Sequence, residues 1–121
     1  MEELKKLIKR YPVLADCEKD IYNAYITIKN TYQNEGKLLV CGNGGSAADS
    51  DHIVGELMKG FRKKRPLGEK EREKLGELAD HLQEAMPAIS LTGHAALSTA
   101  FLNDVSPDMI FAQQVYGYGK K

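Results

Sequence analysis

Apolar residues recur at three- and four-residue steps along most of this chain, and two short runs break that rhythm. Leu4, Leu7 and Ile8 share one face of an amphipathic helix over residues 2–10. Pro12 disfavours helix at Tyr11, so a turn is expected there. From about Val13, the positions Leu14, Cys17, Ile21, Ala24, Tyr25, Ile28 and Tyr32 define a long helix, with Gly36 placed to end it as a left-handed cap. Lys37 to Cys41 is the first break: apolar at consecutive positions, as in a strand covered on both faces. Helical spacing resumes from Ser46 to about Lys59, with Ile53, Val54, Leu57, Met58 and Phe61 as the expected buried face. It continues from Glu69 to Ala85 through Leu75, Leu78, Ala79, Leu82 and Ala85. Pro87-Ala88-Ile89-Ser90-Leu91 is the second break and the second strand, followed by a turn at Thr92-Gly93-His94. A short helix over 95–102 follows. Ser106-Pro107-Asp108 then reads as a cap with proline at the first helical position, opening a last helix through Met109, Ile110, Val115 and Tyr116.

This order defines an α/β protein: a parallel sheet flanked by helices, with two predicted strands joined by a long crossover. In such sheets ligands bind beyond the C-terminal ends of the strands. The loops after both strands, Asn43 to Ser46 and Thr92 to His94, are therefore expected at one end.

With 121 residues the chain holds one domain, read as 1–121. Lys+Arg 17 against Asp+Glu 17 leaves no net field to attract nucleic acid or an anionic membrane. No apolar run is long enough to span a membrane, and Met1 to Lys6 is too charged for a signal peptide. Cys17 and Cys41 fall in a helical and a strand pattern, and read as reduced core residues of a cytoplasmic protein.

The chemistry gathers around Leu38 to Asp49. A strand, a glycine turn and a helix start aim backbone N–H groups and a helix dipole at one spot, which suits an anion, most often a phosphate. Gly44 and Gly45 allow close approach and positive φ, and Ser46 is placed as N-cap with a hydroxyl for a ligand. No Gly-Lys-Ser/Thr follows, so this is not a Walker loop. Gly42, Gly44 and Ala47 fit a loose dinucleotide pattern, but the acidic residue on a second strand about 20 positions on is missing. A plain strand-to-helix turn is the simpler alternative. Asp49, His52 and Glu56 share one helical face, and His52 with Glu56 at i, i+4 suits either a two-point metal site or an acid/base pair beside a carbonyl. A solvent-facing pair worth a few tenths of a kcal/mol is the bland alternative. Asn103 and Asp104 could hydrogen-bond sugar hydroxyls, or simply form a turn. The basic cluster Phe61 to Pro66 reads as a solvated helix end.

Together, Gly42-Asn43-Gly44-Gly45-Ser46-Ala47-Ala48-Asp49, His52, Glu56-Leu57 and the later Asn103-Asp104, Phe111 and Gly-Lys-Lys tail resemble phosphoheptose isomerases of the SIS (sugar isomerase) superfamily. The resemblance implies a flavodoxin-like parallel sheet, assembly as dimers or tetramers, and aldose–ketose isomerisation of sedoheptulose 7-phosphate through an enediol. It implies that Asn43, Gly44, Gly45 and Ser46 line the substrate, that Asn103 and Asp104 contact it, and that His52 and Glu56 bind zinc, with Glu56 the candidate base. Two departures stand out: an extra helix at about 69–86, and a chain that stops before the family's third strand and second phosphate loop. A partial domain with an open first-strand edge is expected to pair with itself. Family members also act as phosphosugar-sensing regulators or interaction modules, which is the non-catalytic alternative.

Overall fold

Strands β1 (Leu38–Val40) and β2 (Ala88–Ser90) pair in parallel, with Leu38 opposite Ala88, Leu39 opposite Ile89 and Val40 opposite Ser90. The pairing is that expected of two apolar runs joined by a long crossover, each run trimmed at its ends. This computed structural model describes residues 1–119, so Lys120 and Lys121 of the tail lie outside the described residues. The chain forms two compact units, Met1–Gly36 and Lys37–Lys121.

The first unit holds α1 (Glu2–Arg10), a 3₁₀ helix (Pro12–Cys17) and α2 (Glu18–Gln33). The long helix expected from Val13 is thus split. Pro12 sits at the start of the tighter turn, and the Leu14 N–H donates to the Tyr11 carbonyl at 3.0 Å. The left-handed residue after α2 is Glu35 (φ 54), not Gly36. The Glu35 N–H donates to Tyr32 O at 3.1 Å and the Gly36 N–H to Thr31 O at 2.8 Å, the pair of bonds that defines a Schellman motif. Gly36 serves by close approach: a Cβ there would lie 2.8 Å from the Thr31 carbonyl oxygen.

The second unit adds α3 (Gly45–Met58), α4 (Glu69–Leu75), α5 (Ala95–Asp104) and α6 (Ile110–Tyr118) to the sheet. The helix expected over 69–85 ends at Leu75, because Gly76 turns left-handed (φ 56) and leads into a 3₁₀ helix, Gly76–His81. Beyond it the chain is held extended from outside. Arg65 donates to the carbonyls of Glu84 (2.9 Å) and Leu57 (2.6 Å), and the Met86 N–H donates to Leu57 O (3.0 Å). Helical propensity loses to these bonds; Leu78 and Leu82 stay exposed while Ala79 is buried. Pro107 opens a short 3₁₀ turn, Pro107–Met109, before α6, and Ser106 precedes it without a side-chain cap bond. Leu91, immediately after β2, is 1% exposed and lies at the centre of this unit's core.

Candidate functional site

The turn between β1 and α3 is shaped by glycines for two different reasons. A Cβ on Gly42 would stand 2.4 Å from the Ser46 carbonyl oxygen, so the strand exit passes against the helix's first turn with no room for a side chain. Gly44 adopts φ 58, ψ −126, a region open essentially to glycine, and is the N-cap of α3. Ser46, expected as the cap, is instead the second helical residue. The glycine backbone makes the turn itself: the Ser46 N–H donates to Asn43 O and the Ala47 N–H to Gly44 O, both at 3.1 Å. The N–H groups of Gly44 and Gly45 have no backbone partner among the described residues, and a Cβ on either would meet nothing within 4 Å. Asn43, Gly44, Gly45 and Ser46 are all exposed. The result is an open helix N-terminus, carrying about half a positive charge, with two donors free to face an anion.

From there α3 runs with Ala47, Ser50, Val54 and Leu57 covered and Ile53, Met58 and Phe61 exposed, so the buried stripe keeps the expected direction but is narrower, with Ile53 and Met58 on its two flanks left exposed. Ser50 is 2% exposed and returns its hydroxyl proton to Ser46 O at 2.8 Å. At about 100° per residue, His52 lies opposite this stripe and Glu56 only about 40° from His52. Both are exposed, and neither makes a hydrogen bond or ion pair among the described residues. The couple shares a face as its spacing predicts, but that face is turned to solvent. Zinc, which the resemblance implies here, needs about four donors. Among the described residues no group of three His, Cys, Asp or Glu side chains stands together to hold a metal, so His52 and Glu56 do not by themselves make a zinc centre.

Asn103 and Asp104 form the last turn of α5; both are exposed, and Asn103 Nδ2 donates to Asp104 Oδ1 at 2.8 Å. Among the described residues no hydrogen bond joins them to the glycine turn. Cys41, expected in the core, is exposed at the strand exit with a free thiol.

Three features here went unread in the sequence. Asp51 Oδ1 accepts hydrogen bonds from Ser90 Oγ (2.5 Å) and Thr92 Oγ1 (2.6 Å), tying α3 to the end of β2. These donors hold the Asp51 carboxyl below the usual carboxylate range, Ser90 contributing most. The available signal was the period-two spacing of Ser90 and Thr92, which sends both hydroxyls to one face. Gln114, 2% exposed, donates from Nε2 to Leu91 O at 3.0 Å and docks α6 on the sheet end. In the turn after β2, His94 Nε2 meets the Tyr118 hydroxyl at 3.0 Å.

A parallel sheet whose first strand feeds a glycine turn and a helix N-terminus is the arrangement of a SIS domain. The SIS domain family model matches residues 2–118, and the chain belongs to that family. Among curated relatives, it is 37% identical over 93 residues to the phosphoheptose isomerase of a Roseiflexus species, covering 77% of this chain and 38% of that protein. It is 36% identical over 101 residues to the phosphoheptose isomerase of a Nitratiruptor species, covering 84% of this chain and 44% of that protein. The solved structure of phosphoheptose isomerase from Neisseria gonorrhoeae superposes with a TM-score of 0.59 at 26% identity, covering 98% of this chain and 48% of that one. The chain therefore spans less than half the length of these relatives.

Proposed function

We propose that these 121 residues form part of a single phosphosugar-isomerase domain and supply its substrate cradle and its acid/base couple. The observation that carries this reading is the open glycine turn: two free N–H groups at the start of a helix, at the ligand end of a parallel sheet. The N–H groups of Gly44 and Gly45, with Asn43 and the Ser46 hydroxyl, hold the phosphorylated end of a sedoheptulose 7-phosphate-like substrate. Asn103 and Asp104 bind its hydroxyls. Glu56 takes the proton from the carbon beside the carbonyl, giving an enediol, and returns it to the neighbouring carbon, while His52 shares the proton's movement to oxygen. A solvated carboxylate is a poor base for this work, so turnover requires the outer face of α3 to be covered. If zinc takes part, the donors beyond His52 and Glu56 come from outside the described residues; zinc would polarise the sugar oxygens.

Among the described residues the edge of β1 not paired with β2 has no strand partner, and the end of α5 and the segment leading into α6 expose Leu102 (51%), Val105 (67%) and Met109 (52%). Both features support self-association as a dimer or tetramer. Among the described residues no helix is long and apolar enough to cross a membrane. The free thiols of Cys17 and Cys41 support a reducing, cytoplasmic setting. A non-catalytic phosphosugar-binding module is the second reading, favoured by the exposure of His52 and Glu56. Assaying sedoheptulose 7-phosphate isomerisation with and without zinc decides between them. Turnover that disappears in His52→Ala supports the isomerase; saturable binding without turnover supports the module.

A further inference from the structure

The Asp51–Ser90–Thr92 cluster is built from three oxygens and two hydroxyl protons. Both hydroxyls can reach Asp51 Oδ1, at 2.5 and 2.6 Å, and the two hydroxyl oxygens stand 2.6 Å apart. Ser90 Oγ also accepts the Thr92 N–H at 3.4 Å. With both protons donated to Oδ1, that oxygen is saturated. Oδ2 has no partner among the described residues, and Asp51 is exposed. The two tethers therefore hold Oδ1 against the end of β2 and leave Oδ2 available to a ligand.

Its place is specific. Ser90 ends β2 and Thr92 follows it, so the cluster lies at the C-terminal end of a parallel strand, where such sheets bind ligands. Asp51 is six residues into α3 from Gly45, about 9 Å along the helix axis from the glycine turn. A sugar phosphate anchored at the turn spans that distance. Ordinary helix docking needs no carboxylate with a free oxygen; α3 already covers the apolar side chains of Val54 and Leu57, both half-buried.

We propose that Asp51 Oδ2 is a hydroxyl acceptor for the polyol chain of the phosphorylated ligand, with Ser90 and Thr92 as its positioning residues. This rests on the phosphosugar reading of the glycine turn. A carboxylate that accepts hydroxyls selects for the sugar rather than for its phosphate, and this separates it from the turn.

The test is calorimetric titration of the full chain with inorganic phosphate and, separately, with sedoheptulose 7-phosphate. In the wild-type chain both should bind, the sugar phosphate more tightly. Asp51→Asn should leave phosphate affinity unchanged and weaken the sugar phosphate about ten- to a hundredfold, the range for a hydrogen bond to a charged group. The double variant Ser90→Ala/Thr92→Val, which keeps the carboxylate but frees it, should show a smaller loss confined to the sugar phosphate. Phosphate binding with no preference for the sugar phosphate, or equal losses for both ligands in Asp51→Asn, would overturn the inference and leave the glycine-turn reading intact. Failure of the wild-type chain to bind either ligand would overturn both.

Discussion

The backbone at Gly42 passes so close to Ser46 that a Cβ would stand 2.4 Å from the Ser46 carbonyl oxygen. That contact sets the angle at which β1 hands over to α3, and hence where the free N–H groups of Gly44 and Gly45 point. The obstructing atoms are backbone and Ser46 Cβ, so they cannot swing away. Gly42→Ala is expected to cost about 1–3 kcal/mol, read by urea denaturation.

Gly44 and Gly45 should separate conformation from binding. Gly44→Ala meets no atom but forces alanine to a positive φ, costing roughly 1–3 kcal/mol. Gly45→Ala meets neither obstacle and should change stability by less than about 0.5 kcal/mol. Its methyl group nevertheless occupies the space an anion would use, so phosphate affinity should fall in a variant that melts like the parent.

His52→Ala removes an exposed side chain with no partner among the described residues, and stability should again move by less than about 0.5 kcal/mol. Where turnover is measurable it should fall roughly 10²- to 10⁴-fold, the usual worth of a positioned acid or base.

Asp51 carries a pH signature. Its carboxyl is lowered by the Ser90 and then the Thr92 hydrogen bond. A depressed folded-state value contributes stability above the ordinary carboxylate range and loses it as pH falls through the depressed value. The carboxyl carbon resonance of Asp51 should therefore titrate below the ordinary aspartate range and move up toward that range in Ser90→Ala/Thr92→Val.

Burial raises the Tyr32 phenol above its ordinary value, and among the described residues its buried hydroxyl has no hydrogen-bond partner. Tyr32→Phe removes that unpaired group and should stabilise the chain by about 1 kcal/mol in thermal melts. In the parent, burial disfavours the phenolate, so stability does not change with Tyr32 ionisation below about pH 10 and falls as pH climbs from there through the raised folded-state value.

The parallel strand pair, the glycine turn and the helices α1, α3, α5 and α6 were legible because each follows from local periodicity or from glycine and proline chemistry. Misreadings arose where a distant partner or a one-residue shift decided the outcome. Arg65 holds the chain around Glu84 extended although Leu78, Leu82 and Ala85 keep helical spacing. Glu35 takes the left-handed position that Gly36 was expected to fill, because Gly36 is needed one place on, against Thr31. Ser46 is not the cap, since Gly44 already closes the turn through its backbone. Within the candidate site, the shared face of His52 and Glu56 was readable from spacing. Its outward direction was readable too, because Val54 and Leu57 belong to both the expected and the observed buried stripe and His52 lies opposite them. The Asp51 cluster needs the register that brings residue 51 to residue 90, which no local pattern contains.

Backbone amide shifts of the chain, followed by nuclear magnetic resonance during titration with sedoheptulose 7-phosphate, address the phosphate cradle most directly. The Gly44 and Gly45 amide protons should move downfield and saturate together, and Gly45→Ala should abolish the response. Saturable binding that leaves both amides unmoved would contradict the proposed cradle.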